Sequence, residues 1–226
     1  FGGYDHGRQA GVIQVADHHV APGKKFFEWG NGPEGEMWSK ILTDGDGPYL
    51  ELMAGAWSDN QPDYSWIQPG ETREWKHWWY PIQKLGAAKA ANRDAAVNLE
   101  VTNRTAWVAV NTTKELKGAK VHLAIGSSRR EEAHSSQNGR SLFDQTVDIN
   151  PAKPFTATVI IEQAVPAEQL RLSLLDAEGR ELVSYQPAAP KGTPMPKPVE
   201  KPKPPKDYTS TDELCFTGQR IEQLNS

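Results

Sequence analysis

The chain has a single cysteine, Cys215, which excludes an intrachain disulfide and any cysteine-based metal centre built by one chain. It also has no apolar run approaching the length needed to cross a bilayer as a helix. Its start, Phe1-Gly2-Gly3-Tyr4-Asp5, carries neither the positive charge nor the apolar stretch of a signal peptide. Excess positive charge is missing too: 25 Lys and Arg stand against 29 Asp and Glu, and the basic residues are scattered. Phosphate backbones are bound by concentrated basic surfaces, so nucleic acid is not an expected partner, and neither is a membrane. There is no glycine loop followed by Lys-Ser or Lys-Thr to cradle a nucleotide, and no Gly-x-Ser-x-Gly nucleophile elbow. No cofactor is implied.

Aromatic residues, by contrast, are plentiful, and of the eight tryptophans only Trp107 lies beyond Ile82. Together with the apolar fraction they are enough to build one large or two modest cores. The central stretch is Gly47-Pro48-Tyr49-Leu50-Glu51-Leu52-Met53-Ala54-Gly55-Ala56-Trp57. Read as a strand, it places Leu50, Leu52, Ala54 and Ala56 on one face and Tyr49, Glu51, Met53 and Trp57 on the other. A lone carboxylate among aromatics is an environment that raises a carboxyl pKa and stacks the C–H side of a sugar ring. The alternative is a solvated glutamate on an open sheet face.

Before this strand, residues 12–20 read as another, with Val12, Gln14, Ala16 and His18 on one face and Ile13, Val15, Asp17 and His19 on the other. That places the two histidines on opposite faces and argues against a local zinc site. Pro22-Gly23 reads as a turn that returns residues 24–29 antiparallel as a hairpin. Residues 36–42 are ambiguous between helix and strand. The aromatic segment from Arg73 to Tyr80 reads as a strand whose tryptophans are either core fillers between stacked sheets or, for Trp29 and Trp57, a sugar platform.

Composition shifts to Ala, Lys and Asn over residues 86–94, which marks a boundary. Beyond it, strands are expected at 97–101, 105–110, 120–125, 142–149, 155–161, 170–175 and 181–185. Asp176-Ala177-Glu178-Gly179-Arg180 makes a hairpin connection between the last two. This is a small sandwich of immunoglobulin-like or fibronectin-like character, with Arg129-Arg130-Glu131-Glu132 as a mixed-charge loop. Residues 187–208 are a Pro/Lys-rich linker. From residue 209 a helix follows, with Ser210 as its cap, Glu213 three residues on, and Leu214, Thr217, Ile221 and Leu224 along one stripe. One helix cannot bury such a stripe alone, so it reads as the entry to a helical repeat array.

The order Leu50-Glu51-Leu52, Asp59-Asn60-Gln61-Pro62 and Gln68-Pro69-Gly70-Glu71-Thr72 resembles the last block of galactose mutarotase-like (aldose 1-epimerase) domains. A closer resemblance, from Phe1 to about Asp94, is to an uncharacterised bacterial mutarotase-like family fused to tetratricopeptide repeats. It rests on Val15-Ala16-Asp17-His18-His19, Pro22-Gly23-Lys24-Lys25, Trp29-Gly30-Asn31-Gly32 and Asp59-Asn60-Gln61-Pro62-Asp63. The resemblance implies that residues 1–88 are the C-terminal part of a mutarotase-like β-supersandwich, in a fragment of a longer chain, and that Glu51 takes the place of the catalytic glutamate. Leu52-Met53 replace the family's usual Thr-Gln after it. The fold class expected is therefore all-β: that part-supersandwich, the immunoglobulin-like sandwich over 95–186, the linker, and the helix over 209–226 as the start of a tetratricopeptide array.

The function expected is binding or processing of a sugar or glycoside at its anomeric centre, which needs one group to take a proton and another to give one. Glu51 is the candidate base or acid; His18, His19, Asp17 and Glu28 are candidate cleft residues, with no metal. Trp29, Trp57, Tyr49, Asp59 and Asn60 are candidate sugar contacts, Asp59 also as a turn former. A glycosidase would need a second carboxyl, for which Asp17, Glu28, Glu34, Glu36, Asp59 and Asp63 are available. Asp17-His18-His19 also matches the triplet of a phosphoesterase family, but the earlier aspartates and the later Gly-Gly-Gly-His-like segment are missing. The alternative function is a non-catalytic carbohydrate-binding and scaffolding module. Its expected partners are carbohydrate and, through downstream repeats, other proteins.

Overall fold

The structure, a computed structural model, describes residues 1–56, 66–126, 140–189, 192 and 202–225, with side chains as far as Glu222. In chain order its elements begin with β1 (Gly2–Asp5), β2 (Ala10–Ala16), β3 (Gly23–Glu28), α1 (Pro33–Thr43), β4 (Leu50–Gly55) and β5 (His77–Gln83). They continue with β6 (Ala90–Ala91), β7 (Ala95–Thr102), β8 (Thr105–Thr112), β9 (Leu116–Ile125) and β10 (Arg140–Ile149). The last are β11 (Phe155–Ile160), β12 (Leu170–Leu175), β13 (Glu181–Tyr185) and α2 (Thr211–Asn225). The architecture is all-β with little helix. The chain divides into two compact units: Phe1–Val15 with His77–Lys191, and Ala16–Lys76 with Gly192–Ser226.

The first unit is built on a sandwich of two antiparallel sheets, β10-β9-β12-β13 and β11-β8-β7-β6. Alternation along each strand turns Val97 and Leu99, Val108 and Val110, Val121 and Leu123, and Leu170, Leu172 and Leu174 into one buried core. The strands expected from the sequence at 170–175 and 181–185 appear with those bounds; the others are longer by a few residues, except β11, which ends one residue sooner than expected. Asp176 makes the last hairpin. Its backbone N–H donates to Arg180 O, its carboxylate accepts from the N–H groups of Glu178 and Arg180 and from the Arg180 guanidinium, and Gly179 supplies a left-handed φ of 83°. Burial acts to raise the Asp176 carboxyl, but those donors outweigh it and hold the group below its ordinary range.

A third layer lies on the outside of this sandwich. The sheet β1-β2-β5 presents Ile13 and Ile82, with Leu85 just beyond, to Ala96 of β7 and Ala109 of β8. These alanines are small enough to let the layer approach closely, and Tyr4, Tyr80 and Trp107 close its margins. Two buried asparagines on the same outer face bind the layer through its backbone: Asn111 Oδ1 accepts from Gln83 N at 2.9 Å, and Asn98 Nδ2 donates to Leu85 O at 2.9 Å. Residues 1–15 and 77–88 thus pack against the sandwich.

The second unit holds the ribbon β3-β4, in which Gly23 pairs with Gly55, Phe27 with Glu51 and Glu28 with Leu50. Residues 24–29 therefore do not return against 12–20 as a hairpin. Strand β2 ends at Ala16 because Asp17 starts a turn: its carboxylate accepts from His19 N at 2.9 Å and its carbonyl from the N–H groups of Val20 and Ala21. The ambiguous segment 36–42 lies inside helix α1, with Pro33 in its first turn and Glu34 and Glu36 near its positive end. In the turn at Gly70 (φ 79°), Glu71 accepts from Gln68 N and from Arg73 Nε, and the following strand begins at His77 rather than Arg73. Helix α2 is capped as expected, with Ser210 Oγ accepting from Glu213 N at 3.4 Å and Ser210 O from Leu214 N at 3.1 Å. The loop at 129–132, Leu224 and most of the Pro/Lys-rich linker lie outside the described residues or side chains.

Candidate functional site

The register of the β3-β4 ribbon decides which side chains share a face. Residues directly opposite in an antiparallel pair point the same way, so Phe27 lies with Glu51 and Lys25 with Met53. At the ribbon's end, where Glu28 pairs with Leu50, the next residues are Trp29 and Tyr49. Lys24, Phe26, Glu28, Leu50, Leu52 and Ala54 occupy the other face, where Phe26 and Leu50 are more than half exposed. The grouping of Tyr49, Glu51 and Met53 is the one that strand alternation predicts. Glu28, by contrast, is on the face opposite Glu51. Among the described residues Glu51 sits on a two-stranded ribbon, not on a central strand.

Glu51 and Tyr49 are joined directly. The phenol donates to Glu51 Oε1 at 2.5 Å, and both side chains are half-buried. This bond to a carboxylate, reinforced by burial and by the Glu51 charge, pushes the Tyr49 hydroxyl above its usual pKa. The phenol therefore keeps its proton at neutral pH and orients the carboxylate beside it.

The aromatic part of the face comes from β3 and α1. Trp29 stacks on Trp38 with ring centres 5.1 Å apart and planes at 19°, and Phe27 meets Trp29 edge-on at 5.1 Å. Helix α1 can reach this position because Gly35 has no Cβ; one built there would lie 2.2 Å from Gly30 O and 2.6 Å from Trp29 O. Ser39 Oγ accepts from Tyr49 N at 3.3 Å, and Thr43 Oγ1 donates toward Ser39 O and Gly47 O. These bonds tie the helix to the start of β4. Trp29 remains 40% exposed. The arrangement can hold an apolar ring face against an indole while the carboxylate accepts hydroxyl protons.

Asp17, His18 and His19 are exposed and form one cluster, with the two imidazole centres 3.8 Å apart and one donor atom from each residue within 4.8 Å of the others. The expectation that the histidines lie on opposite faces is thus overturned, because the strand alternation it assumed stops at Ala16. The three groups can face a single cation. Among the described residues no further His, Cys, Asp or Glu joins them. Trp57, Asp59 and Asn60 lie outside the described residues. Trp38 and Phe27 were not anticipated; the acidic first turn and Lys40 in the last turn of α1 were the signals for the helix that carries Trp38.

Comparison with known families divides the chain near the same place as its composition. Residues 1–82 match the family described as Domain of unknown function (DUF5107), and residues 90–185 match the one described as YphG-like protein, second domain. No solved structure matches the chain.

Proposed function

We propose that this chain is a carbohydrate-contacting module in which the face formed by Trp29, Tyr49 and Glu51 holds a sugar residue. The observation that carries the reading is the pairing, on one face, of an exposed indole braced by Trp38 with a carboxylate braced by Tyr49. A pyranose offers C–H groups on one side and hydroxyls at its edge, and these match the indole and the carboxylate respectively. The mutarotase-like resemblance of residues 1–88 points to the same ligand class. Binding is favoured over catalysis for a specific reason. Anomeric chemistry needs a proton donor as well as a base. Glu28, a candidate for that second role, is on the face opposite Glu51, so the described part of this face supplies a platform and a carboxylate, and binding is the reading it supports.

A catalytic role for Glu51 is the second reading, favoured by the short bond from Tyr49, which fixes the carboxylate as a base would need to be fixed. Helix α2, with Leu214 and Ile221 exposed along one side, is proposed as the first helix of a repeat array that recruits protein partners. Two substitutions separate the readings. Trp29→Ala is expected to abolish saccharide binding at this face, and Glu51→Gln to weaken binding there without revealing any lost turnover. Wild-type chain that alters anomeric signals, with Glu51→Gln inactive but still binding, would establish the enzyme instead.

A further inference from the structure

A concave site lies wholly within the sandwich unit and involves none of the residues of the Glu51 face. It is an open cleft of about 390 Å³ lined by Tyr4, His6, Gln9, Lys84, Gly86, Glu100, Trp107 and Thr156. Its floor is the outer face of the sandwich: Glu100 and Trp107 are direct cross-strand partners on β7 and β8, and Thr156 pairs with Ala109 on the neighbouring strand. Its wall is the β1–β2 connection and the chain just after β5.

Three features set this cleft apart from an ordinary surface groove. First, its rim is strained. Gln9 and Lys84 both adopt left-handed φ angles, 53° and 50°, and are joined by a bond from Lys84 N to Gln9 O at 2.8 Å. Such conformations in non-glycine residues cost energy and concentrate at ligand sites. Second, a buried amide fixes the floor from beneath. Asn98 is fully buried and donates from Nδ2 to Glu100 Oε1 at 3.0 Å and to Leu85 O at 2.9 Å, which ties the carboxylate that lines the cleft to the layer above it. Third, Gly86 has φ 66°, and a Cβ there would stand 2.8 Å from Asn98 Nδ2 and 3.4 Å from the Trp107 ring. A side chain at that position would crowd the floor where the indole lies.

We infer that this cleft is a binding site for one pyranose unit of a neutral saccharide, separate from the Glu51 face. The volume falls in the range of small-molecule sites. Trp107 and Tyr4 supply aromatic surface for the C–H side of a ring. Lys84, Gln9 and the Tyr4 hydroxyl supply donors, and Glu100, Gln9 and Thr156 supply acceptors, which is the mixture that hydroxyl groups need. The one lysine opposed by one carboxylate does not favour a polyphosphate, and the polar lining does not favour an acyl chain. The openness of the cleft leaves room for the unit to continue into a longer glycan.

This inference stands on the chemistry of the cleft alone and does not require the Glu51 face to bind sugar. The test is a titration of the full chain with D-glucose, D-galactose and their β-1,4-linked oligomers, followed by amide chemical shifts. The variants are Glu100→Ala and Lys84→Asn, both at exposed positions, with Asn chosen because it tolerates a left-handed φ. Trp107→Phe is a third, and Glu51→Gln and Trp29→Ala are comparators. The expected result is a set of shifts around Tyr4, Lys84 and Trp107, affinity weakened roughly tenfold or more in Glu100→Ala, and this set of shifts unchanged in Glu51→Gln and Trp29→Ala. Should Trp107→Phe prove unfolded, Glu100→Ala and Lys84→Asn decide alone. Wild-type affinity at this cleft in both of those variants, or no shift at the cleft with any saccharide, would overturn the inference whatever happens at Trp29.

Discussion

At the scale of single residues, the Tyr49–Glu51 pair follows from strand geometry alone. Side chains two apart on a strand share a face, and here that face is shielded enough for the phenol to bond the carboxylate at 2.5 Å. Because the bond and the charge both resist ionisation of the phenol, Tyr49 is expected to titrate above the ordinary tyrosine value of 10.0. In Glu51→Gln its midpoint should fall back toward that value, since the amide lacks the charge. A pH titration of the Tyr49 ring signals by NMR checks this, and an unchanged midpoint would mean that the two groups do not meet in solution. The grouping of Tyr49 with Glu51 was legible in the sequence because it needs only alternation. The clustering of His18 with His19 was not, because Asp17 diverts the chain into a turn through its own side-chain bond to His19 N.

At the scale of elements, the ease of reading tracks how much of a strand is buried. Strand β12 alternates Leu170, Leu172 and Leu174 into the core, and a slip of one residue would expose all three, so its bounds are fixed by pattern. Strand β3 has no such constraint. Its partner β4 comes only after helix α1, whereas the Pro22-Gly23 dipeptide suggests a local hairpin. Helix α1 itself hides behind Gly32, Pro33 and Gly35, which read as loop residues. The glycine at 35 is there for a tertiary reason, the approach of Trp29 and Gly30 carbonyls, that no local pattern reveals. Gly35→Ala is therefore predicted to cost about 1–3 kcal/mol through forced separation of α1 from the Trp29 loop. The coupled indole signal in circular dichroism from the Trp29–Trp38 stack should disappear with it. Retention of that signal at unchanged stability would show that the helix does not pack as described.

At the scale of the molecule, the two units differ in how they are stabilised. The sandwich unit has a continuous apolar core and a third layer fastened by Asn98, Asn111 and Tyr80, while the described part of the other unit is a two-stranded ribbon with α1 and α2. The Tyr80 hydroxyl donates to Asn92 O at 2.8 Å, and burial, with the nearby Asp94 charge, pushes its pKa up to about 12 from 10.0. A group whose folded pKa is raised contributes stability that is complete below the unfolded value and is lost as pH rises through the folded one. Denaturant unfolding of the sandwich unit in the full chain should thus show stability falling between pH 10.0 and about 12. Tyr80→Phe should flatten that slope while costing roughly 1 kcal/mol at neutral pH for the lost hydrogen bond. A slope unchanged in Tyr80→Phe would assign it to another group.

The division of labour that follows is a well-packed sandwich carrying one cleft and a lighter ribbon carrying an aromatic–carboxylate face. The most direct test of that face is saturation-transfer NMR on the wild-type chain and Trp29→Ala, with mono- and oligosaccharides, recording anomeric signals in the same samples. The account predicts transfer to sugar protons with no anomeric change in the wild type, and loss in Trp29→Ala of the transfer that competes with this face. Transfer identical in the two proteins, or none from a folded wild-type sample, would contradict it.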